Sequence, residues 1–132
     1  MAWHFSSDKP VYLQISERLT KSVLSGEYQP GEQIPTVRQL ALEAAVNPNT
    51  VQHAFAELEK EGVIISKGTS GRFVTDDVQI IELSRKTLAE KIVKEFVKNT
   101  KALSLTKEQV IAIIEEVAKW IFLNAKTWIS HT

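Results

Sequence analysis

The chain has 132 residues, 43% of them hydrophobic, with sixteen basic and sixteen acidic side chains. This length fits one ordinary domain, or a small domain with an appendage, and the apolar content suffices for a packed core. The absence of cysteine excludes a disulfide framework, a thiolate metal site and a cysteine nucleophile. Because no apolar run approaches the roughly 18 residues that span a bilayer and no secretory signal is recognisable, we expect a soluble cytoplasmic protein.

The charges are divided unevenly along the chain. Residues 1–76 hold seven Lys/Arg and nine Asp/Glu, a net charge of −2, whereas residues 77–132 hold nine and seven, a net charge of +2. Since nucleic-acid-binding domains are usually basic, the charge of the first part argues against DNA binding. We nevertheless expect a local positive rim near the third helix, with modest non-specific affinity for DNA. Its members are Arg38, His53, Lys67 and Arg72.

Two helices are predicted in the first part of the chain. Apolar residues at helical spacing predict a helix over residues 10–25, and Gly26 fits the position that ends it. A turn at residues 28–32 follows. The second helix is predicted over residues 36–45, because Thr36 and Gln39 are spaced as a capping box.

The third predicted helix, over residues 47–61, opens with polar side chains. Asn47 is a strong N-cap and Pro48 occupies the first helical position, where its missing N–H costs nothing. A stable helix needs only an apolar stripe. A recognition helix also carries hydrogen-bonding side chains at its N-terminal end, which contact base edges and phosphates. These side chains are Asn49, Thr50, Gln52 and His53.

A β-hairpin is predicted after the third helix. Residues 63–66 and 72–75 have strand character, and the glycine-containing residues 67–71 form the turn between them. Three helices followed by a two-stranded hairpin make a winged helix-turn-helix, which we assign to residues 1–76.

The remainder, residues 77–132, is predicted to be helical, so the fold class is mostly α with a small β-hairpin. One helix is predicted over residues 78–97 and a turn over 99–101. Thr106 and Gln109 are spaced as a second capping box, before a helix over 110–129 that is apolar almost all round. Its second apolar face requires a partner, for which the same helix pair of a second subunit is the simplest candidate. The expected dimerisation residues are Ile114, Val117, Trp120, Ile121 and Trp128.

Several spaced motifs resemble the GntR family of bacterial transcription regulators. They are PVYLQI at residues 10–15, GEYQPGEQIPTVRQLA at 26–41, VNPNTV at 46–51 and LEKEGVI at 58–64. The match is nearly continuous over residues 10–75. The short segment after the wing, together with NPNTV, resembles the YtrA subfamily. That resemblance implies a two-helix dimerisation segment and repression of operons that often encode ABC transporters.

The resemblance also implies which residues contact DNA. Arg38 matches an arginine near the start of the second helix that contacts DNA, and Gly68 with its neighbours matches a wing tip that enters the minor groove. The sequence departs from many relatives at Pro48 and Gln52, where those relatives carry arginines. Gln52 is better suited to adenine, which favours an operator richer in A·T. The full expected set is Thr36, Arg38, Asn47, Asn49, Thr50, Gln52, His53, Lys67, Gly68, Thr69, Ser70, Gly71 and Arg72.

Most of these residues also have a purely structural interpretation. Arg38 can be a solvated surface cation and residues 67–72 a flexible hairpin, although DNA contact is the favoured interpretation of both. Asn47 caps its helix whatever the function. Core or dimer packing is the simpler role for each tryptophan. No catalytic constellation or metal-ligand pattern stands out, so we expect neither an enzyme nor a cofactor.

Two hypotheses for function follow. The first is a homodimeric repressor that binds a palindromic double-stranded DNA operator, with a small-molecule effector that the sequence does not identify. The second is a winged-helix protein-interaction module that does not bind DNA, which the acidic balance of residues 1–76 favours.

Overall fold

The structure, a computed structural model, describes residues 3–123. Within this range the chain forms five α-helices and one antiparallel hairpin, so the predicted fold class is confirmed. The elements are α1 (Val11–Leu24), α2 (Val37–Ala44), α3 (Pro48–Lys60), β1 (Ile64–Ser66), a short 3₁₀ turn (Gly68–Ser70), β2 (Arg72–Val74), α4 (Val78–Ala102) and α5 (Lys107–Leu123). The chain divides into two compact units after Leu88.

Local sequence signals set the ends of the helices. Both predicted capping boxes are present: the Gln39 backbone N–H donates to Thr36 Oγ1 at 3.1 Å, and that of Gln109 donates to Thr106 Oγ1 at 3.2 Å. In each box the glutamine side-chain oxygen accepts from the N-cap backbone N–H at 2.9 Å. The predicted helix-ending role of Gly26 is confirmed, because its φ of +85° lies in the left-handed region just beyond α1.

The hydrophobic core of the first unit lies around α3, which packs against α1, α2 and β1. Four side chains of α3 are completely inaccessible to solvent: Val51, Ala54, Phe55 and Leu58. Ile15 and Leu19 of α1 contribute further apolar surface to the same cluster. Burial of this much aliphatic and aromatic surface is the main stabilising term for so small a unit.

The hairpin is tied to the chain segment that precedes α2. β1 and β2 pair in register, with Ile65 opposite Phe73. On the other edge of β2, the Val74 backbone N–H donates to Glu32 O at 2.8 Å, and the Ile34 N–H donates to Arg72 O at 3.0 Å. The wing is therefore hydrogen-bonded on both edges of β2, which holds the hairpin beside the three helices.

The predicted turn over residues 99–101 is wrong, because α4 continues through these residues to Ala102. The polar character of this stretch suggested a break, but it contains neither glycine nor proline. The Thr100 hydroxyl instead donates to Val97 O at 2.9 Å within the helix. The reversal comes at Ser104, which adopts a left-handed φ of +62°.

The first turns of α4 belong to the first compact unit. Ile81 is only 6% exposed and joins the core cluster. Arg85 Nη2 donates to Leu24 O at 3.0 Å, at the end of α1. A fragment that keeps residues up to 88 therefore retains these contacts of α4, which a cut at 76 would remove. The functional division into residues 1–76 and 77–132 stays a prediction.

In the described range, no helix combines the length and the apolar character that a span of the bilayer requires.

Ile81→Ala is expected to lower the free energy of unfolding by about 2–5 kcal/mol, because it removes a buried aliphatic side chain and leaves a cavity. Leu83→Ala is the matched control on the same helix, since Leu83 is 65% exposed. Its effect should stay within about 0.5 kcal/mol. Urea titration followed by circular dichroism measures both, and equal destabilisation by the two variants would contradict the position of Ile81 in the core.

Candidate DNA-binding site

The turn between α2 and α3 is built from backbone hydrogen bonds and one left-handed residue. Ala45 has a φ of +56°, and its backbone N–H donates to Leu42 O at 3.3 Å. The Val46 N–H donates to Ala41 O at 3.0 Å. This compact turn brings α3 directly after α2, which is the arrangement of a helix-turn-helix.

Asn47 caps α3 as predicted. Its Oδ1 accepts a hydrogen bond from the Asn49 backbone N–H at 2.8 Å, and Pro48 occupies the first helical position. The side-chain oxygen of Asn47 thus satisfies a backbone N–H at the start of α3. Its exposure leaves the amide nitrogen available to a ligand.

The leading turns of α3 present polar side chains to solvent. Asn49, Gln52 and His53 are exposed, whereas Thr50 is half-buried. His53 is held by Tyr12 of α1, because the two rings stack with centroids 3.5 Å apart and planes 8° apart. The exposed strip opposite the buried face of α3 therefore consists of hydrogen-bonding groups, as a base-reading helix requires.

Thr36 and Arg38 lie at the start of α2. Thr36 is committed to the capping box through its hydroxyl oxygen. Arg38 is exposed and makes no ion pair within residues 3–123. An unpaired exposed guanidinium is suited to a phosphate or a guanine edge.

The tip of the wing is a 3₁₀ turn of exposed residues. Gly68 and Gly71 have left-handed φ values of +60° and +110°. The Gln33 side-chain amide donates to Ser70 O at 2.8 Å and supports the turn, while Thr69 remains exposed. Lys67 places its ammonium 4.7 Å from the centre of the Phe73 ring.

Arg72 is engaged by α3 rather than free. Its Nε donates to Glu59 Oε1 at 2.6 Å, and its Nη2 donates to Gln52 Oε1 at 3.4 Å. The guanidinium carbon also lies 5.0 Å from the centre of the Phe55 ring. The sequence analysis did not predict this pair, because the two residues meet only through the hairpin. The expected positive rim is reduced accordingly, since Glu59 offsets the charge of Arg72.

The predicted dimerisation residues lie on α5. None of the described residues of α5 is buried. Ile114, Val117 and Trp120 are 44%, 50% and 58% exposed, and Ile121 is half-buried. Trp128 lies outside the described residues.

The first unit matches a known family of regulators. Residues 11–74 match the sequence profile described as "Bacterial regulatory proteins, gntR family". Over 107 residues the chain is 35% identical to the uncharacterised HTH-type transcriptional regulator YhcF of Bacillus subtilis (strain 168), covering 81% of this chain and 88% of YhcF. The chain belongs to the GntR family. The family expected from the sequence motifs is therefore confirmed.

Two further similarities cover most of the chain, and a third covers a little over half of it. The chain is 30% identical over 115 residues to the HTH-type transcriptional repressor YtrA of Bacillus subtilis (strain 168), covering 87% of this chain and 84% of YtrA. A GntR family transcriptional regulator from Listeria monocytogenes superposes with a TM-score of 0.80 at 32% identity, over 85% of this chain and 98% of that one. A crystal structure of the DNA-binding domain of AraR with operator ORE1 superposes with a TM-score of 0.52 at 25% identity, over 57% of this chain and 98% of that one.

These similarities assign the general class of activity. The chain is a DNA-binding transcriptional regulator of the GntR family, and it is not an enzyme. The hypothesis of a winged-helix module that never binds DNA receives no support from them.

Replacing Asn47 separates capping from DNA contact. Asn47→Ala should lower the free energy of unfolding by about 1 kcal/mol through loss of the cap. Asn47→Asp keeps the acceptor and suits the helix dipole, so its stability should match that of the unchanged protein. The added negative charge is nevertheless expected to weaken DNA binding, because DNA phosphates would repel a carboxylate at a helix end predicted to contact DNA. Thermal melting and fluorescence anisotropy measure the two properties, and undiminished DNA affinity in Asn47→Asp would place this helix end away from DNA.

Proposed function

We propose that the protein is a homodimeric cytoplasmic repressor, in which each subunit inserts α3 into the major groove of a palindromic operator. The observation that carries this proposal is the exposed polar leading end of α3, beside a wing with an exposed tip. Because the apolar side of α3 is wholly buried, its outer side is free to read base edges.

The DNA contacts we propose divide into two groups. Asn49 and Gln52 are exposed and carry amides, so they are suited to base edges, and Arg38 is suited to a phosphate or a guanine. Asn47, Thr36, Thr50 and His53 would border this surface. The wing, residues 67–72, would approach the flanking minor groove with Lys67 near the phosphate backbone.

The proposed dimer rests on the apolar surface of the second unit. Ile92, Val93, Phe96 and Val97 of α4 are all at least 40% exposed, and so are the apolar residues Ile111, Ile113, Ile114, Val117 and Trp120 of α5. Large apolar side chains exposed in this number are typical of an interaction site. The proposed partner is a second copy of the chain, because the twofold symmetry of a dimer would place one copy of α3 on each half of a palindromic operator.

The proposed target is the operon that contains the protein's own gene. YtrA, with which the chain shares 30% identity, is named a transcriptional repressor. The resemblance to its subfamily makes ABC transporter genes the expected members of that operon. A small molecule that binds the second unit would tune DNA affinity by altering the dimer.

A labelled duplex carrying the protein's own upstream region is expected to bind at moderate salt more tightly than a scrambled duplex of the same composition. Arg38→Ala should weaken operator binding by about 1–3 kcal/mol with little change in melting temperature. Lys21→Ala, which removes an exposed cation from α1, serves as the control and should retain affinity. Equal affinity for the operator and the scrambled duplex would refute the proposal.

Val117→Asp is expected to convert the dimer to a monomer, because it places a charge in the proposed apolar interface. Ala112→Asp adds the same charge to the same helix, about five residues away and on the opposite side, and should leave the dimer intact. Sedimentation velocity measures the oligomeric state of both variants. A dimeric Val117→Asp protein would show that this face of α5 is not the interface.

A further inference from the structure

The side chain of Arg72 links the wing to the reading helix through three contacts. The ion pair with Glu59 is short, and the two side chains are only 28% and 35% exposed, so solvent screens their attraction incompletely. The ring of Phe55 lies at cation–π distance beneath the guanidinium. The third contact, with the side-chain amide of Gln52, involves a residue on the exposed strip of α3.

This third contact determines the orientation of the Gln52 side-chain amide. A guanidinium has N–H donors and no acceptor, so Gln52 must direct its carbonyl oxygen toward Arg72. A flipped amide would bring its NH₂ group against the guanidinium, donor against donor. The Gln52 Nε2 group is consequently directed away from Arg72, and it makes no hydrogen bond in the described part of the chain.

Guanine and adenine present different hydrogen-bonding groups to such a donor in the major groove. Guanine presents two neighbouring acceptors, N7 and O6, and no donor. Adenine presents N7 beside the N6 amino group, and its bidentate pairing with glutamine requires the glutamine oxygen to accept from N6. An oxygen already engaged by Arg72 is poorly placed for that second bond.

We propose that Arg72 is a positioning residue that sets base preference, by orienting Gln52 so that its amide donates to guanine rather than pairing with adenine. The inference rests on the proposed function, since it requires α3 to read the major groove. It assigns Arg72 a role in α3 specificity in place of a phosphate contact on the wing. It also gives Glu59 a role, because its carboxylate anchors the guanidinium that orients Gln52.

The test is a panel of operator duplexes in which each base pair of one half-site is changed in turn. The unchanged protein should prefer guanine over adenine by about tenfold at one position, since a well-made pair of hydrogen bonds discriminates at that level. Arg72→Met keeps an unbranched apolar side chain over Phe55 but removes every donor. This variant should lose the preference for guanine at that position, or shift toward adenine.

Two further variants keep the test decisive. Gln52→Glu would still pair with Arg72, but its carboxylate offers only hydrogen-bond acceptors to DNA. The preferred base at the same position should therefore change from guanine to cytosine, whose N4 amino group is a donor. Lys67→Met is the control, because Lys67 is a wing cation with no contact to Gln52 in the structure. It should weaken binding to all duplexes alike and leave the base preference unchanged.

The outcomes separate the two proposals. If the unchanged protein binds the operator no better than scrambled DNA, the proposed function fails. If it binds specifically but shows no guanine preference, or if Arg72→Met keeps that preference, the inference about Arg72 is overturned while the proposed function stands. Loss of the guanine preference in Arg72→Met, at the position where Gln52→Glu also changes it and Lys67→Met does not, supports the inference.

Discussion

The burial of one face of α3 is the constraint on which the rest of the first unit depends. Val51, Ala54, Phe55 and Leu58 are completely buried, and α1, α2 and β1 all pack on this helix. Since a helix repeats every 3.6 residues, fixing its inner face also fixes its outer face. The same packing that stabilises the unit therefore holds a strip of polar groups outward in one orientation, which is what a protein must do to read DNA without rearranging on contact.

The wing adds a second constraint, which acts on side chains rather than on the backbone. Hydrogen bonds on both edges of β2 fix the position of Arg72, and Arg72 in turn contacts Glu59 and Gln52 on α3. The first unit is net acidic, so its surface does not attract DNA by overall charge. Its selectivity then depends on local chemistry, namely on which donors and acceptors α3 presents and on what holds them there.

Much of the fold was predictable because its signals are local. The capping boxes at Thr36 and Thr106 and the cap at Asn47 act within one helical turn, so residue type and spacing suffice to place them. The end of α4 was not predictable in the same way. Polar residues at 99–101 resemble a turn, yet without glycine or proline they continue the helix. The membership of Ile81 in the first core was also missed, because it depends on packing over a long sequence separation.

The sequence by itself determined the family, the helix-turn-helix with its wing, and the polar character of the reading end of α3. It did so because caps, periodicity and spaced motifs depend on neighbouring residues. Only the tertiary structure decided that Arg72 is paired with Glu59 and directed at Gln52, and that His53 stacks on Tyr12. These contacts join residues that lie 13 to 41 positions apart, and no local pattern specifies which donors and acceptors such packing will bring together.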